Sequence, residues 1–87
     1  LPAVSTGADT RKGFGTANIA GTPISFTSAL ATPYLLNVLG YKDGNLVGVD
    51  FFDKSVTPPI DTRTTNGFTA FAADDGVTIE YEASLPL

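Results

Sequence analysis

The 87-residue sequence contains no cysteine, histidine, methionine or tryptophan, and only five lysines and arginines. The missing cysteines exclude disulfides and thiolate metal sites. The missing histidines remove the commonest general base and the commonest transition-metal ligand. The five cations, Arg11, Lys12, Lys42, Lys54 and Arg63, are scattered along a chain of net charge −4. Phosphate contacts need clustered Lys and Arg, so a nucleic-acid partner is not expected. No apolar run approaches the ~18–20 residues of a membrane helix, and membrane insertion is not expected. One domain of this size buries roughly 60–65% of its unfolded surface and is marginal unaided. Disulfides, a metal or oligomerisation usually supply the help. Oligomerisation is the device this composition leaves most open.

Residues 1–12 hold Pro2, Gly7 and small polar side chains, then Arg11-Lys12, with no apolar period. They read as an extended arm or linker, one that packs on a neighbouring subunit in the sharper version. From Gly13 to Leu87 the pattern is all-β. A weak strand covers residues 14–20. Residues 22–30 alternate, with Ile24 and Phe26 on one face and Ser25 and Thr27 on the other. Residues 33–42 form the most apolar strand. Tyr34, Leu36 and Val38 share one face; Leu35, Leu39 and Tyr41 share the other. A strand apolar on both faces lies at the centre of a sandwich or at a subunit interface.

Asp43-Gly44-Asn45 marks a turn, and residues 46–53 follow as a strand with Val47, Val49 and Phe51 on one face. Pro58-Pro59 places residues 55–59 in a loop or at a sheet edge. A short strand at 60–65 leads to the Asn66-Gly67 turn. Phe68, Ala70 and Ala72 then alternate with Thr69 and Phe71. Asp74-Asp75-Gly76 separates this strand from a final one, in which Val77, Ile79 and Tyr81 alternate with Thr78, Glu80 and Glu82. Asp-Gly between alternating runs predicts a tight hairpin, with Gly76 at positive φ. Six or seven short strands separated by turns predict a small antiparallel β-sandwich.

Catalytic groups are sparse. None of the serines lies in a Gly-x-Ser-x-Gly context, and without histidine the base would have to be Lys or a carboxylate. Asp74 and Asp75 read as turn formers; Glu80 and Glu82 share a solvated strand face. Asp50 and Asp53 flank two phenylalanines near a strand end. Asp50, Asp53 and Asp61, with loop carbonyls of residues 54–59, are the one set considered for calcium, and their spacing matches no calcium loop. Gly13-Phe14-Gly15 precedes no helix, so no phosphate loop is expected. No enzyme activity, cofactor or metal is expected. Tyr34, Tyr41, Phe52 and Phe71 lie on faces or ends that need not all be core. A sugar site would join rings for stacking to polar groups for hydroxyls; Tyr41, Asp50, Phe52 and Asp53 are the candidates. Gly44, Gly67, Phe68, Gly76 and Tyr81 are expected to serve turns and core.

The landmarks follow a recognisable order. A strand ending in Phe26 precedes Ala29-Leu-Ala-Thr-Pro33-Tyr-Leu-Leu-Asn-Val38. Later come Thr64-Thr-Asn-Gly-Phe68-Thr69 and Asp75-Gly-Val77-Thr-Ile-Glu-Tyr81-Glu-Ala83. From about residue 21 to 83 this resembles the small β-sandwich domains at the C-terminal ends of bacteriophage tail fibres, which share the layout of H-type lectins. In those lectins the closing position held here by Tyr81 is Trp, and His and Arg often line the sugar site. The resemblance implies a homotrimer in a virion, at the tail or on the capsid surface, contacting other virion proteins and a host-surface glycan. The implied function is receptor binding by a tail-fibre or tail-tip attachment module. A capsid decoration or cement protein, or a small tail structural protein, is the alternative, and the N-terminal arm motivates it.

Overall fold

The computed structural model describes residues 10–85, and every regular element among them is a strand. In chain order these are β1 (Thr10–Ala17), β2 (Thr22–Ser25), β3 (Leu35–Lys42), β4 (Asn45–Val47), β5 (Val49–Asp50), β6 (Phe52–Asp53), β7 (Ile60–Asp61), β8 (Gly67–Ala72) and β9 (Val77–Ser84). One sheet has the order β1-β9-β3-β4 and a second the order β2-β8-β5, with β6-β7 as a separate ribbon. All the strand pairs are antiparallel. The architecture is the expected small sandwich-like all-β fold.

The alternation read in the sequence places the core. Val77, Ile79, Tyr81 and Ala83 of β9 are buried, while Thr78, Glu80 and Glu82 between them are exposed. Phe68, Ala70 and Ala72 of β8 meet that inner face across the space between the sheets. Strands have a side-chain period of two, so each sheet turns one face inward. At one end the rings of Phe68 and Tyr81 meet edge to face at 5.4 Å, and Phe26 lies against Tyr34 at 5.5 Å in the same manner. Such edge contacts match the positive rim of one ring to the negative face of another.

The connection from β8 to β9 is not the expected hairpin. The two strands lie in different sheets, and residues 73–76 form an arch across the edge of the sandwich. Gly76 does hold φ +67°, so the turn chemistry is right and the strand pairing is different. The reason lies in what β9 can pair with. It forms an eight-position ladder with β1 on one side and a seven-position ladder with β3 on the other. β8, six residues long, would satisfy only one edge. Crossing over also lets the apolar faces of β8 and β9 meet instead of lying side by side. Side chains from elsewhere hold the arch. Gly76 N donates to Asn18 Oδ1 at 2.8 Å, Ile19 N to Asp75 Oδ1 at 3.0 Å, and Lys42 Nζ to Asp74 Oδ2 at 3.1 Å.

Asp43 and Gly44 do close a hairpin, between β3 and β4, with φ of 53° and 78°. Two successive positive φ values match the right-handed twist of the paired strands. The run expected as one strand over 46–53 is instead β4, β5 and β6. The chain leaves the first sheet at Gly48 and joins the second at Val49. This break raises the strand count to nine. Residues 1–9 of the expected arm lie outside the described residues. Thr10, Arg11 and Lys12 do not belong to an arm: they open β1, paired with Ser84, Ala83 and Glu82.

Candidate functional site

An open cavity of about 810 Å³ lies over the outward side of β8, in the second sheet. Its floor follows from the alternation of that strand. Phe68, Ala70 and Ala72 point into the core, so Thr69 and Phe71 point out and line the cavity, each half-buried. One wall is Ile19 and Ala20, the link between β1 and β2. The other runs from Gly48 through β5 and β6 to Ser55.

Asp50 shapes this second wall. Its Oδ1 accepts from the backbone N–H of Phe51 at 2.7 Å and of Phe52 at 3.1 Å, bending the chain between β5 and β6. Its Oδ2 takes an ion pair from Lys54 Nζ at 2.7 Å. The Lys54 hydrogen bond holds the Asp50 carboxyl below the usual carboxylate range; burial opposes it, and the two backbone donors add to the lowering. Asp53 Oδ1 accepts from both Ser55 Oγ at 2.6 Å and Ser55 N at 2.9 Å, which turns the chain out of β6. These bonds lower its carboxyl as well. Both carboxylates are therefore charged acceptors at neutral pH. A general acid for glycoside cleavage needs the opposite, a raised carboxyl pKa.

A polar ring supports the cavity from behind. Thr62 Oγ1 accepts from Thr69 N at 3.0 Å and donates to the carbonyl of Phe51, joining the residues just before β6 and just after β7 to β8. The Arg63 guanidinium lies 4.9 Å from the Phe51 ring centroid and donates to the carbonyl of Tyr34 at 2.6 Å. Arg63 also forks onto Asp61, with Nη2 to Oδ2 at 2.6 Å, and its hydrogen bond lowers the Asp61 carboxyl. Phe51 and Phe52 lie against each other at 5.1 Å, so the ring that Arg63 covers abuts a cavity-lining one.

The structure brings together three of the four sequence-predicted ligand residues. Asp50, Phe52 and Asp53 line the cavity. Tyr41 does not: it lies on the outward face of β3, in the other sheet. The strand break at Gly48 separates them, because it carries Asp50 and Phe52 away from the sheet that holds Tyr41. Phe71 and Phe52 behave as the rings free of the core. Tyr34 is the reverse, 1% exposed, with its hydroxyl donating to backbone carbonyls. Lys54, Ser55, Thr69 and Ile19 are lining residues that sequence reading passed over. The available signal was the position of Phe71 and Thr69 on the solvent side of a strand already read as alternating. The carboxylates considered for calcium do not converge. Asp50 is engaged by Lys54, Asp53 by Ser55 and Asp61 by Arg63, and among the described residues no three metal-ligating side chains cluster. Gly44, Gly67 and Gly76 adopt positive φ in turns, and Phe68 and Tyr81 are core.

Compared with known protein families, curated proteins and solved structures, the chain matches none.

Proposed function

We propose that the chain is a non-enzymatic attachment module of a bacteriophage particle, placed at a tail fibre or tail tip, that binds a host-surface glycan in the cavity beside β8. The observation that carries this reading is one open cavity lined by the rings of Phe52 and Phe71 together with Asp50, Asp53 and Lys54. A pyranose presents an apolar C–H face and a rim of hydroxyls. The rings suit the first; ionised carboxylates, which only accept, suit the second. The volume falls within the range of about 300–1,000 Å³ usual for small-molecule sites. The lowered carboxyls of Asp50 and Asp53 favour binding over acid catalysis. The tail-fibre layout of the sequence supports a place in the virion and a homotrimer, in which weak sites gain avidity by repetition.

A second reading, a capsid decoration protein or small tail structural protein, draws on the apolar outward face of the β1-β9-β3-β4 sheet. Saturation-transfer NMR with a panel of bacterial surface oligosaccharides separates the two. A ligand whose signal is lost in Phe71→Ala and Asp50→Asn, while both variants remain folded, supports the cavity reading. Binding that persists in both variants removes the cavity from the proposal, and no binding across the panel favours the structural protein.

A further inference from the structure

The outward face of the β1-β9-β3-β4 sheet carries large apolar side chains where strand alternation calls for polar ones. Phe14 on β1 is 77% exposed, Leu35, Leu39 and Tyr41 on β3 are 60%, 52% and 40% exposed, and Leu46 at the centre of β4 is 72% exposed. Register makes them neighbours. Phe14 and Leu39 flank Glu80 from opposite sides, and Tyr41 pairs with Leu46. Taking about 200 Å² for a large apolar side chain, these exposures leave on the order of 600 Å² of apolar surface on one face. Summed over the face, with Glu80 between Phe14 and Leu39, this equals the upper end of the apolar patch a typical monomer shows, and it approaches the roughly 800 Å² that each partner gives to a stable interface.

We propose that this face is the contact between copies of this chain, with Phe14, Leu39 and Tyr41 at its centre. It rests on the oligomer in the functional reading above and names the surface that builds it. Three observations favour a second copy over another occupant. The area matches a protein partner of comparable size. The interior is thin: four of the ten buried apolar residues are alanines, and the largest fully buried side chains are Tyr34, Ile79 and Val77. Such a chain gains stability from a partner that is present whenever it is made. The face also holds both signs of charge. Lys12 pairs with Glu82 at 3.1 Å on the same face, while Glu80 has no ion pair among the described residues. A second copy brings a Lys12 that an offset packing can set against Glu80, whereas an anionic membrane surface would repel both glutamates.

Sedimentation equilibrium of the 87-residue chain, at micromolar concentrations, tests this together with Phe14→Lys and Leu39→Lys. The native chain is expected to self-associate. Each lysine is expected to weaken association on the order of tenfold to a hundredfold, because it puts a charge into a dry contact. Glycan binding per cavity is expected to stay unchanged, since the cavity lies on the other sheet. A monomeric native chain overturns the proposal. An oligomer indifferent to both lysines overturns it too. The native chain has no cysteine, so single thiols report on the face independently. Leu39→Cys should cross-link copies through a short bis-maleimide, and Val56→Cys, in the loop after β6, should not. The reverse pattern places the contact elsewhere. Loss of cavity binding with association intact would count against the glycan reading alone.

Discussion

The hydroxyl of Tyr34 donates to the carbonyl of Gly67 at 2.9 Å, and the same hydroxyl lies 3.0 Å from the carbonyl of Thr64. A residue ahead of β3 thus adds a shared hydrogen bond to both ends of the turn that opens β8, whose Thr64 and Gly67 backbones also bond to each other. Burial pushes the Tyr34 phenol up, with Arg63 pulling it the other way, so the hydroxyl stays a donor at any physiological pH. Tyr34→Phe keeps the ring and removes the donor. It is expected to cost about 0.5–1.5 kcal/mol, the net worth of one hydrogen bond, because the Gly67 carbonyl keeps the Thr64 N–H at 2.8 Å and the Thr64 carbonyl keeps the Gly67 N–H at 3.3 Å. Urea unfolding measures this as a lower midpoint at unchanged slope. An unmoved midpoint would mean water replaces the bond.

Gly67 and Gly44 both hold positive φ, yet they predict different outcomes. A Cβ on Gly67 would collide with the carbonyl of Ile24 across the β2-β8 pair, and its φ of 150° already disfavours a side chain. Gly67→Val is expected to yield no folded protein. A Cβ on Gly44 meets nothing within 4 Å, so Gly44→Ala carries only the left-handed backbone cost of about 1–2 kcal/mol. Circular dichroism and expression yield distinguish the two. Equal effects would contradict the steric account.

Phe68 joins the two sheets through Phe26 and Tyr81. Phe68→Ala is expected to cost about 3–5 kcal/mol, the usual range for an emptied aromatic core site. For a chain with so thin an interior, that loss approaches the whole stability of a typical small domain. A loss below about 1 kcal/mol would place the ring outside the core.

Acid should weaken the fold through Asp50 and Asp61. Both carboxyls are lowered in the folded chain, Asp50 by Lys54 and Asp61 by Arg63. The stabilisation is therefore full above the unfolded value of about 3.9 and fades as pH falls through the lower folded values. Melting temperature should be flat near neutrality and drop below about pH 4. Asp61→Asn should lower the neutral plateau and make the acid drop shallower. A parallel shift at every pH would mean the pair contributes nothing through ionisation.

Phe71 and Tyr41 separate the two surfaces of the molecule. Phe71→Ala is expected to weaken cavity binding about tenfold, roughly the 1.4 kcal/mol that one ring contact supplies. Tyr41→Ala is expected to leave that binding unchanged and to weaken self-association. Titration calorimetry and sedimentation, run on both variants, read the two effects apart.

The alternation of Val77, Ile79 and Tyr81 with Thr78, Glu80 and Glu82 was enough to place the last strand and its inner face. The same holds for Tyr34, Leu36 and Val38 against Leu35, Leu39 and Tyr41. Period two is a local property, and local sequence carries it. Which strands pair is not local. Asp74-Asp75-Gly76 specifies a reversal of direction, but the choice between hairpin and arch depends on β1 and β3, which lie dozens of residues away. Gly48 looked like one more position in a strand, because only the switch between sheets reveals it as a corner. That switch also explains the site: Asp50, Phe52 and Asp53 are close in sequence and stay together, while Tyr41 shares only a type of side chain with them.

The central place of β9 sets the order in which this molecule can be made. β1 and β3 each pair with β9 and not with each other, so their ladders wait for the segment that leaves the ribosome after every other described strand. Until then the nascent chain exposes two unpaired edges and the undersides of both sheets. The β3-β4 hairpin and the β2-β8-β5 sheet can pair before that, but the first sheet closes only once β9 is present. Ending the chain at residue 76 would keep the strands of the second sheet but remove the one strand that β1 and β3 share, and with it the first sheet.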